Sequence, residues 1–268
     1  MMSEFRELVR GYYRSFGRSF PWRETDDPYA VLVSEYMLQQ TQTGRVLPKY
    51  GSFLLRFPGL ESLASAGLAE VLAAWQGLGY NRRAKALHEA AGLILARHAG
   101  RVPSRPEELE RLPGIGPYTA RAVSTFAYKL PNVFLETNIR SVFIHHFFPA
   151  GRSVSDRELL PLVEASLDAD DPRSWYFGLM DYGVHLKKLH GNPSRRSASH
   201  ARQPKFEGSN RQLRGRILKA VLGRGSPDLA ELGRDTGAKA RELRGCLDRL
   251  VREGLVAAEA DGRYRAGG

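Results

Sequence analysis

The spacing of its apolar residues constrains the fold of this chain more than any other feature. Throughout residues 4–188, apolar side chains recur every three or four positions, as in Leu87, Ala91 and Ile94, which is the period of an amphipathic helix. Prolines and glycines interrupt the pattern and leave segments of roughly ten to twenty residues, a usual length for helices in globular proteins. No stretch of this part is typical of a buried strand. The pattern therefore predicts an all-α domain.

The helical period returns near the C-terminus in three shorter segments. These are LRGRILKAVL (213–222), DLAELGRDT (228–236) and AKARELRGCLDRLVREG (238–254), followed by apolar LVAAE (255–259) and the turn-like DGRYRAG (261–267). The order helix, helix, helix, strand, wing resembles that of a winged helix-turn-helix. Leu243, Leu247 and Leu250 share one face of the third helix, which predicts that this face is buried.

A basic segment separates the two helical parts. Residues 183–205 contain no Asp or Glu but six Lys and Arg residues, interleaved with Gly, Ser, Asn and Pro. We therefore predict a helical domain over 1–186, a basic linker or loop over 187–209 and a small winged-helix-like module, α with a short β wing, over 210–268. The chain has 40 Lys and Arg against 29 Asp and Glu, a net charge of +11, and this favours a polyanionic partner.

The single cysteine excludes several classes of site. Cys246 alone cannot form a disulfide framework, a cysteine-rich zinc site or an iron–sulfur cluster held by four thiolates. An intracellular, reducing compartment fits this composition. The N-terminal FRELVRGYYRSF (5–16) carries charges throughout and contains no apolar run of signal or transmembrane length. We therefore expect a soluble, cytoplasmic protein without membrane contact.

The string LPGIGPYTA (112–120) is the most specific motif in the sequence. Its two glycines free the backbone just before a helix, so that backbone N–H groups and the positive end of the helix dipole can face a phosphate. Pro-Gly-x-Gly alone also fits a tight turn between helices. The full string resembles the helix-hairpin-helix element of the base-excision DNA glycosylases of the endonuclease III superfamily, which grips the backbone of one DNA strand. The residues that match as DNA contacts are Leu112, Gly114, Ile115, Gly116 and Thr119.

Two further segments extend this resemblance. PWRETDDPYAVLVSEYMLQQTQ (21–42) and WQGLGYNRRAKAL (75–87) resemble consecutive blocks of the MutY-type adenine DNA glycosylases, so that most of residues 20–185 is covered. The resemblance implies an all-α, helix-hairpin-helix glycosylase fold in which Glu35 is the general acid. An acid is needed because adenine leaves poorly as an anion, and the apolar neighbours of Glu35 favour a buried, protonated carboxyl group. Taken without the motif, Glu35 fits an exposed helix residue or a cap.

The second carboxylate departs from the family pattern. In LETNIRSV (135–142), Glu136 stands where the family normally has an aspartate, and Thr137 replaces a glycine. The resemblance implies that this carboxylate stabilises, or transiently bonds to, the electron-poor sugar carbon. Its longer arm shifts the carboxylate by roughly an ångström, which can cost about 100-fold in rate unless the structure compensates or the substrate differs. Glu136 also fits a cap of the next helix, and Asn138 fits a ligand of this turn or of a phosphate.

Tyr118 bears on the type of reaction. It lies inside the hairpin motif, where bifunctional relatives that also cut the DNA strand have a lysine. A tyrosine cannot form the Schiff base that strand cutting requires, so we predict a monofunctional enzyme that leaves an abasic site. Tyr118 itself fits a hydrogen bond to the second carboxylate or a phosphate, or else a core aromatic position.

The resemblance also assigns residues to base flipping, which needs side chains that fill the vacated stack and hold the orphaned base. The matching residues are Gln39, Gln40, Thr41 and Tyr80. Amides can bond base edges, and an aromatic ring can wedge between base steps. Those that match the base pocket are Trp22, Arg23 and Asp181. Alternatively, Tyr80 is a core residue, the glutamines are solvated and Asp181 pairs with a local Arg or Lys.

After the segment that corresponds to MDYG (180–183), the family normally carries four cysteines, which bind a 4Fe–4S cluster. The chain has none after MDYG (180–183) until Cys246, so no cluster and no other cofactor is expected. The histidines of this segment lack the spacing and neighbours of a metal site. The residues predicted to contact DNA phosphates in place of the cluster loop are Lys187, Arg195 and Arg196. A solvated, flexible linker is the alternative.

Together these features predict a monomeric, monofunctional DNA glycosylase of base excision repair, associated with the nucleoid. It would act on double-stranded DNA and remove adenine mispaired with guanine or 8-oxoguanine. A winged helix replaces the larger C-terminal domain with which relatives read 8-oxoguanine, so two alternatives stay open. One is the same scaffold acting on thymine or uracil opposite guanine, or on another damaged base. The other is a catalytically inactive DNA-binding protein, which Glu136 favours and the intact SEYMLQQTQ (34–42) argues against.

Overall fold

The computed structural model describes residues 2–200 and 205–267, which are predominantly helical. The α-helices are α1 (Met2–Phe16), α2 (Pro28–Leu38), α3 (Thr43–Arg56), α4 (Leu60–Ser65), α5 (Leu68–Trp75), α6 (Arg82–His98), α7 (Pro106–Leu109), α8 (Pro117–Tyr128), α9 (Thr137–Phe147), α10 (Asp156–Ser166), α11 (Pro172–His190), α12 (Asn210–Arg224), α13 (Leu229–Thr236) and α14 (Ala240–Arg252). Strands β1 (Val256–Ala258) and β2 (Tyr264–Ala266) form an antiparallel pair. The predicted all-α domain and the small α module with a β wing are confirmed. Within these residues, no helix has the length and apolarity that a membrane span requires.

The first of two compact units comprises the described residues within Met1–Leu32, Pro103–Arg111 and Ile115–Arg202. Its core is built from the apolar faces of α1, α8, α9, α10 and α11. Phe143 of α9 and Tyr176 of α11 are fully buried, and the ring of Phe134 stacks on Tyr176 with centroids 3.8 Å apart. Burying a large aromatic or aliphatic side chain contributes about 2–3 kcal/mol. The contact between Phe134 and Tyr176 therefore attaches the segment that precedes α9 to α11.

The helices α9 and α11 approach each other most closely at Gly183. A Cβ atom at this position would lie 2.4 Å from the carbonyl oxygen of Asn138, a distance that any residue larger than glycine would have to relieve. Asn138 lies in the first turn of α9, two residues after its N-cap, Glu136. The glycine thus sets where the first turn of α9 lies.

The second unit comprises the described residues within Val33–Val102, Leu112–Gly114 and Gln203–Gly268. Trp75, at the end of α5, is fully buried against Phe53 of α3, with ring centroids 5.8 Å apart. Its indole Nε1 donates to the carbonyl oxygen of Gly79 at 3.2 Å, which satisfies the one polar atom of this side chain. The buried stripe of α6, which includes Leu87 and Ile94, packs on α4 and α5 and completes this core.

The C-terminal helices follow the predicted winged-helix order. After α12, α13 and α14 come β1 and β2, in which Val256 pairs with Ala266. A capping box of Asp228 and Glu231 begins α13, and Gly237, with φ 67°, ends it. The apolar face of α14 is buried, as its period predicts, through Leu243, Cys246, Leu247 and Leu250.

The C-terminal module is not a compact unit of its own. Its described residues belong to the same unit as residues 33–102. Glu253 forms an ion pair with Arg214, with Nη1 and Oε1 3.1 Å apart, and its carbonyl oxygen accepts from Lys85 of α6 at 2.9 Å. These partners are far apart in the chain, so no local sequence pattern indicates that they meet.

The predicted basic linker, residues 187–209, is more structured than a loop. The helix α11 continues to His190, because no proline or glycine interrupts the sequence between 184 and 190, and Lys187 is therefore helical. A short 3-10 helix follows at Pro193–Arg196. Arg202, one of the six basic residues of this segment, lies outside the described residues.

Candidate functional site

Glu35 lies in α2, a helix that is buried on almost every side. Residues 30–37 are each at most 6% exposed, and Glu35 itself is 6% exposed. This agrees with the burial that its apolar neighbours in the sequence predict. A carboxyl group withdrawn from water is suited to holding a proton, which general acid catalysis requires.

The C-terminal end of α2 is fixed by a buried arginine, Arg83 of α6, which is 8% exposed. Its guanidinium donates to the carbonyl oxygens of Tyr36, Met37, Gln39 and Gly79 at 2.5–3.0 Å and to Oγ1 of Thr41 at 2.9 Å. Burial lowers the pKa of Arg83 to about 10, so the group remains charged at neutral pH. Hydrogen bonds from a charged donor are roughly twice as strong as neutral ones. The turn after α2 is therefore firmly attached to the start of α6.

Sequence reasoning missed Arg83, although the sequence contains a signal for it. Arg83 shares the buried stripe of α6 with Leu87, Ala90 and Ile94. A cation on the apolar face of a helix is rare unless it has partners in the interior. Its place in the stripe therefore indicates a structural role, and its partners are the carbonyl groups that the last turn of a helix leaves unpaired.

Two residues beside Arg83 have the left-handed backbone conformation that residues other than glycine rarely adopt. Gln40, which is exposed, has φ 53°, and Tyr80 has φ 48°. Such a conformation costs about 1–3 kcal/mol and persists where the surroundings enforce it. The guanidinium of Arg83 lies 5.4 Å from the centroid of the Tyr80 ring. Arg211 of α12 lies 5.6 Å from the same centroid and donates to the Tyr80 hydroxyl at 2.6 Å, so two arginines hold this side chain.

The hairpin turn at 112–114 is attached to the same end of α2. Gln39 Nε2 donates to the carbonyl oxygen of Gly114 at 3.1 Å, and the hydroxyl of Tyr36 donates to that of Pro113. Gly114 has φ 74°, and a Cβ atom there would lie 2.8 Å from the Cβ atom of Ala86, so this turn requires glycine. Of the hairpin residues, Leu112, Ile115 and Thr119 are buried, whereas Gly114 and Gly116 are exposed. The glycines thus place backbone at the surface, as a phosphate-binding turn requires.

Glu136 is the N-cap of α9, the helix-cap role that the sequence left open for it. Its Oε1 accepts from the backbone N–H groups of Asn138 and Ile139 at 2.7 and 2.8 Å, and its Oε2 accepts from the Asn138 amide at 3.1 Å. Burial raises the pKa of Glu136, although these N–H groups and the cations of Lys187 and Arg140 favour the ionised form. Lys187 Nζ donates to Asn138 Oδ1 at 2.8 Å. A carboxylate, an amide and an ammonium group are thereby joined at the start of α9.

Arg23 and Asp181 form a buried ion pair. The guanidinium of Arg23 donates to both carboxylate oxygens at 2.8 and 2.9 Å, and Arg18 donates to the same carboxylate from its backbone and its side chain. Burial alone would raise the pKa of Asp181, but the bonds and charges of both arginines lower it below its ordinary value. Asp181 thus pairs with arginine, as the alternative for this residue proposed, but both arginines lie far from it in the sequence, 163 and 158 positions away. Trp22 is also buried and stacks on Phe20 at 4.9 Å.

Tyr118 lies in the first turn of α8 and is half-buried. Its ring meets the ring of Phe134 edge to face, with centroids 5.7 Å apart. Because Phe134 in turn stacks on Tyr176, Tyr118 lies at the margin of the aromatic core of the first unit. This position agrees in part with the core aromatic alternative.

The three cations predicted to contact phosphates differ in how they are engaged. Arg196 donates to backbone carbonyl oxygens of its own surroundings, namely those of Phe148, Pro149 and Arg152. Lys187 is bound to Asn138, whereas Arg195 is exposed. Arg196 therefore fastens the segment that follows α11, a role that the charge pattern alone did not predict.

The predicted residues thus form separate groups in the two units. In the second unit, hydrogen bonds join Gln39 and Thr41 to Arg83 and join Gln39 to the hairpin turn. In the first unit, Glu136 and Lys187 meet at Asn138, and Arg23 meets Asp181. Over residues 2–200 and 205–267, no group of three or more His, Cys, Asp or Glu side chains could hold a metal ion.

Comparisons with known sequences identify the family to which the chain is similar. Residues 33–164 match the model of the "HhH-GPD superfamily base excision DNA repair protein" family. The chain is 34% identical to the adenine DNA glycosylase of Mycolicibacterium smegmatis, over 96% of this chain and 94% of that protein. It is also 34% identical to the adenine DNA glycosylase of Mycobacterium tuberculosis, over 96% of this chain and 91% of that protein.

Solved structures show the same fold. A thermostable thymine-DNA glycosylase matches with a TM-score of 0.61 and 26% identity, over 68% of this chain and 86% of that chain. An endonuclease III trapped as a covalent intermediate with DNA matches with a TM-score of 0.58, over 78% of this chain and 92% of that chain. At 16% identity, the second likeness concerns the fold alone.

Proposed function

The chain belongs to the adenine DNA glycosylases of the HhH-GPD superfamily, and from this we propose that it removes adenine mispaired with guanine or 8-oxoguanine from double-stranded DNA. It is a DNA N-glycosylase of base excision repair, and the bond that it hydrolyses joins the base to the deoxyribose. Similarity over almost the whole length of two bacterial relatives supports adenine as the base. The opposite base is our inference.

The buried carboxyl group of Glu35 is the observation that carries this proposal. We infer that Glu35 donates its proton to a ring nitrogen of adenine, so that the base leaves as a neutral molecule when the C–N bond breaks. Glu136, in contrast, acts as an ionised carboxylate, which stabilises the positive charge that develops on the sugar carbon. Water then adds to this carbon and loses a proton, which leaves an abasic site.

The loops around Arg83 support the accompanying step of base flipping. We infer that Gln39, Gln40 and Tyr80 fill the space that adenine leaves and hold the orphaned base. Gln40 and Tyr80 have left-handed backbone conformations. We infer that Arg83 holds both residues in these conformations in the free protein, so that binding to DNA costs less conformational entropy. The backbone N–H groups at the exposed glycines of the hairpin would bind a phosphate of the DNA strand that carries the adenine.

The residues present do not fit an iron–sulfur cluster. The segment after α11 offers serine, asparagine and arginine side chains, and Cys246 lies buried in α14. We therefore propose that the enzyme works without this cofactor. Arg196, which ties the segment to three backbone carbonyls, would replace the cluster as a structural anchor. Absence of iron and acid-labile sulfide from the purified, active enzyme is the expected result.

A single-turnover assay tests the proposed reaction. Labelled duplexes carry A opposite 8-oxoguanine, A opposite G, T opposite G or U opposite G, and each is analysed with and without alkali. We expect cutting at adenine only after alkali, because Tyr118 cannot form a Schiff base, and we expect Glu35→Gln to abolish it. Glu164→Gln, which changes an exposed glutamate of α10, should leave the rate unchanged. Cutting by the Glu35→Gln variant at the wild-type rate would refute the role of Glu35.

Removal of thymine or uracil opposite guanine is the second candidate function. It is favoured by the similarity to the thermostable thymine-DNA glycosylase, whose sequence is 26% identical. The same assay separates the two candidates, since cutting confined to T or U would replace adenine as the substrate while keeping the chemistry of Glu35.

A further inference from the structure

The third helix of the C-terminal module presents a row of cations to solvent. Lys239, at its N-cap, and four arginines along α14 are exposed, namely Arg241, Arg244, Arg249 and Arg252. The exposed acidic side chains of α14 are Glu242 and Asp248. Among the described residues, none of these five cations forms an ion pair with an acidic side chain, so this face carries a clear excess of positive charge.

Four arginines elsewhere in the same module have acidic partners. Arg224 is paired with Asp235 at 2.6 Å, and Arg263 is paired with Glu231 at 3.3 Å. Arg214 and Arg265 have acidic partners as well. The five cations of α14 have no such partner among the described residues, and they outnumber Glu242 and Asp248, the exposed acidic side chains of the same helix. This excess of positive charge favours a polyanionic partner outside the chain.

The opposite face of α14 fixes its orientation within the module. Leu243, Leu247 and Leu250 are at most 1% exposed, so the helix cannot turn its cations inward. It follows α13 through a turn in which Gly237 has φ 67°, the arrangement of a helix-turn-helix. With 13 residues, α14 is about 20 Å long, and the major groove of B-DNA, about 12 Å wide, admits an α-helix.

The module is attached close to the residues that we propose enter the DNA. Arg211 of α12 binds the Tyr80 hydroxyl. Glu253, directly after α14, is bound by Arg214 of α12 and by Lys85, five residues after Tyr80. The end of α14 is therefore connected to the start of α6 by direct side-chain contacts and not by a free linker. DNA bound at Tyr80 and DNA bound by α14 would accordingly be held by one unit of the protein.

We propose that α14 is a second DNA-binding element, which lies in the major groove of duplex DNA outside the lesion. Arg241 and Arg244, in the N-terminal half of the helix, contact phosphates and base edges there, since this half is the part of a recognition helix that reaches the groove. This interaction does not depend on which base the enzyme removes. It extends the contact surface beyond the lesion and holds the enzyme on undamaged DNA.

The test uses the full chain with the double substitution Arg241→Gln/Arg244→Gln. Both side chains are exposed, so the variant should fold normally, and unchanged thermal unfolding verifies this. Affinity for an undamaged 30-base-pair duplex is measured between about 50 and 200 mM salt. Loss of two phosphate contacts lowers the slope of log K against log salt by about 2 and weakens binding roughly ten-fold or more at low salt.

Arg97→Gln/Arg101→Gln is the matched control, since it removes two exposed arginines at the other end of α6 and beyond it. This variant should keep the wild-type slope. Excision by this control variant should also be as fast as by the wild type, because neither of its two arginines belongs to a proposed DNA-binding element. A wild-type slope and affinity for the α14 variant would overturn the proposal. Binding to undamaged DNA involves no excision, so this outcome is distinct from a failure of the proposed glycosylase reaction.

Discussion

At the end of α2, one guanidinium binds the carbonyl groups that a helix leaves unpaired. Arg83, which is buried, donates to the carbonyl oxygens of Tyr36, Met37 and Gln39. Only arginine has enough donors in a fixed fork to serve several acceptors at once. Lysine at this position would present three donors from a point charge and would leave part of the carbonyl set without a partner.

We therefore expect Arg83→Gln to lower the free energy of unfolding by about 2–5 kcal/mol, because several carbonyl groups lose a donor and a buried acceptor left without a partner costs about 1–3 kcal/mol. Excision should slow further than this loss of stability explains, because the backbones of Gln40 and Tyr80 lose the group that holds them. Urea denaturation and single-turnover excision at 25 °C measure the two effects. Arg82→Gln, which changes the exposed neighbouring arginine, is the control. Equal stability of the two variants would contradict this interpretation.

Single residues differ in how far the sequence predicts them. The intact local motif around Glu35 predicts its role, and its burial followed from its apolar neighbours. For Glu136 the sequence allowed two roles, a helix cap and a catalytic carboxylate. The cap could not be predicted with certainty, because it depends on which N–H groups the longer side chain reaches. It is harder to predict the partners of Arg83, Arg196 and Asp181 from the sequence, because these partners lie far away in the chain. The position of a charged residue in the sequence does not predict which distant oxygen atom it will bind.

At the scale of elements, the contact between α9 and α11 determines where the capping carboxylate lies. Gly183 allows α11 to approach the backbone of Asn138, which binds both Glu136 and Lys187. The apolar period predicted both helices but not their separation, since period gives the face and not the distance of packing. A glycine on the buried side of a helix is the sequence signal for such an approach.

The change Gly183→Ala tests this contact. Its Cβ atom would lie 2.4 Å from a backbone oxygen, so α9 must move, and we expect a loss of about 1–3 kcal/mol in the free energy of unfolding. Displacement of Glu136 should slow excision by about 100-fold. Gly92→Ala is the control, since nothing lies within 4 Å of its Cβ position in α6, and it should stabilise by about 0.4–1 kcal/mol. If Gly183→Ala were as stable and active as wild type, the close approach would have no role.

At the scale of the whole molecule, the sequence predicts the order of elements, whereas contacts between distant segments determine how they are grouped. Three helices, a strand and a wing follow residue 210 as the sequence indicates. Yet this module belongs to one compact unit with residues 33–102, and residues 1–186 are divided between two units. Composition marks a linker by its charges and small residues, but the contacts of α12 with α5 and of Glu253 with Lys85 decide which parts share a core.

This grouping predicts how the chain responds to truncation at residue 209. An independent module could be removed without consequence, whereas the structure makes α12–α14 part of the unit that contains Trp75 and Tyr80. The truncated chain should therefore unfold at a temperature lower by about 5 °C or more, since about 1 kcal/mol shifts the midpoint by 2–4 °C in a protein of this size. It should also excise more slowly, because Tyr80 loses Arg211.

Differential scanning calorimetry of the full and truncated chains measures this effect. The full chain with the substitution Lys85→Gln should show a small part of this decrease in unfolding temperature, because it loses one of the contacts between α6 and the module. A truncated chain that unfolds at the midpoint of the full chain would mean that residues 33–102 are stable on their own contacts. In that case the full chain should show a separate transition for the module, whereas a shared unit unfolds with the module in one step.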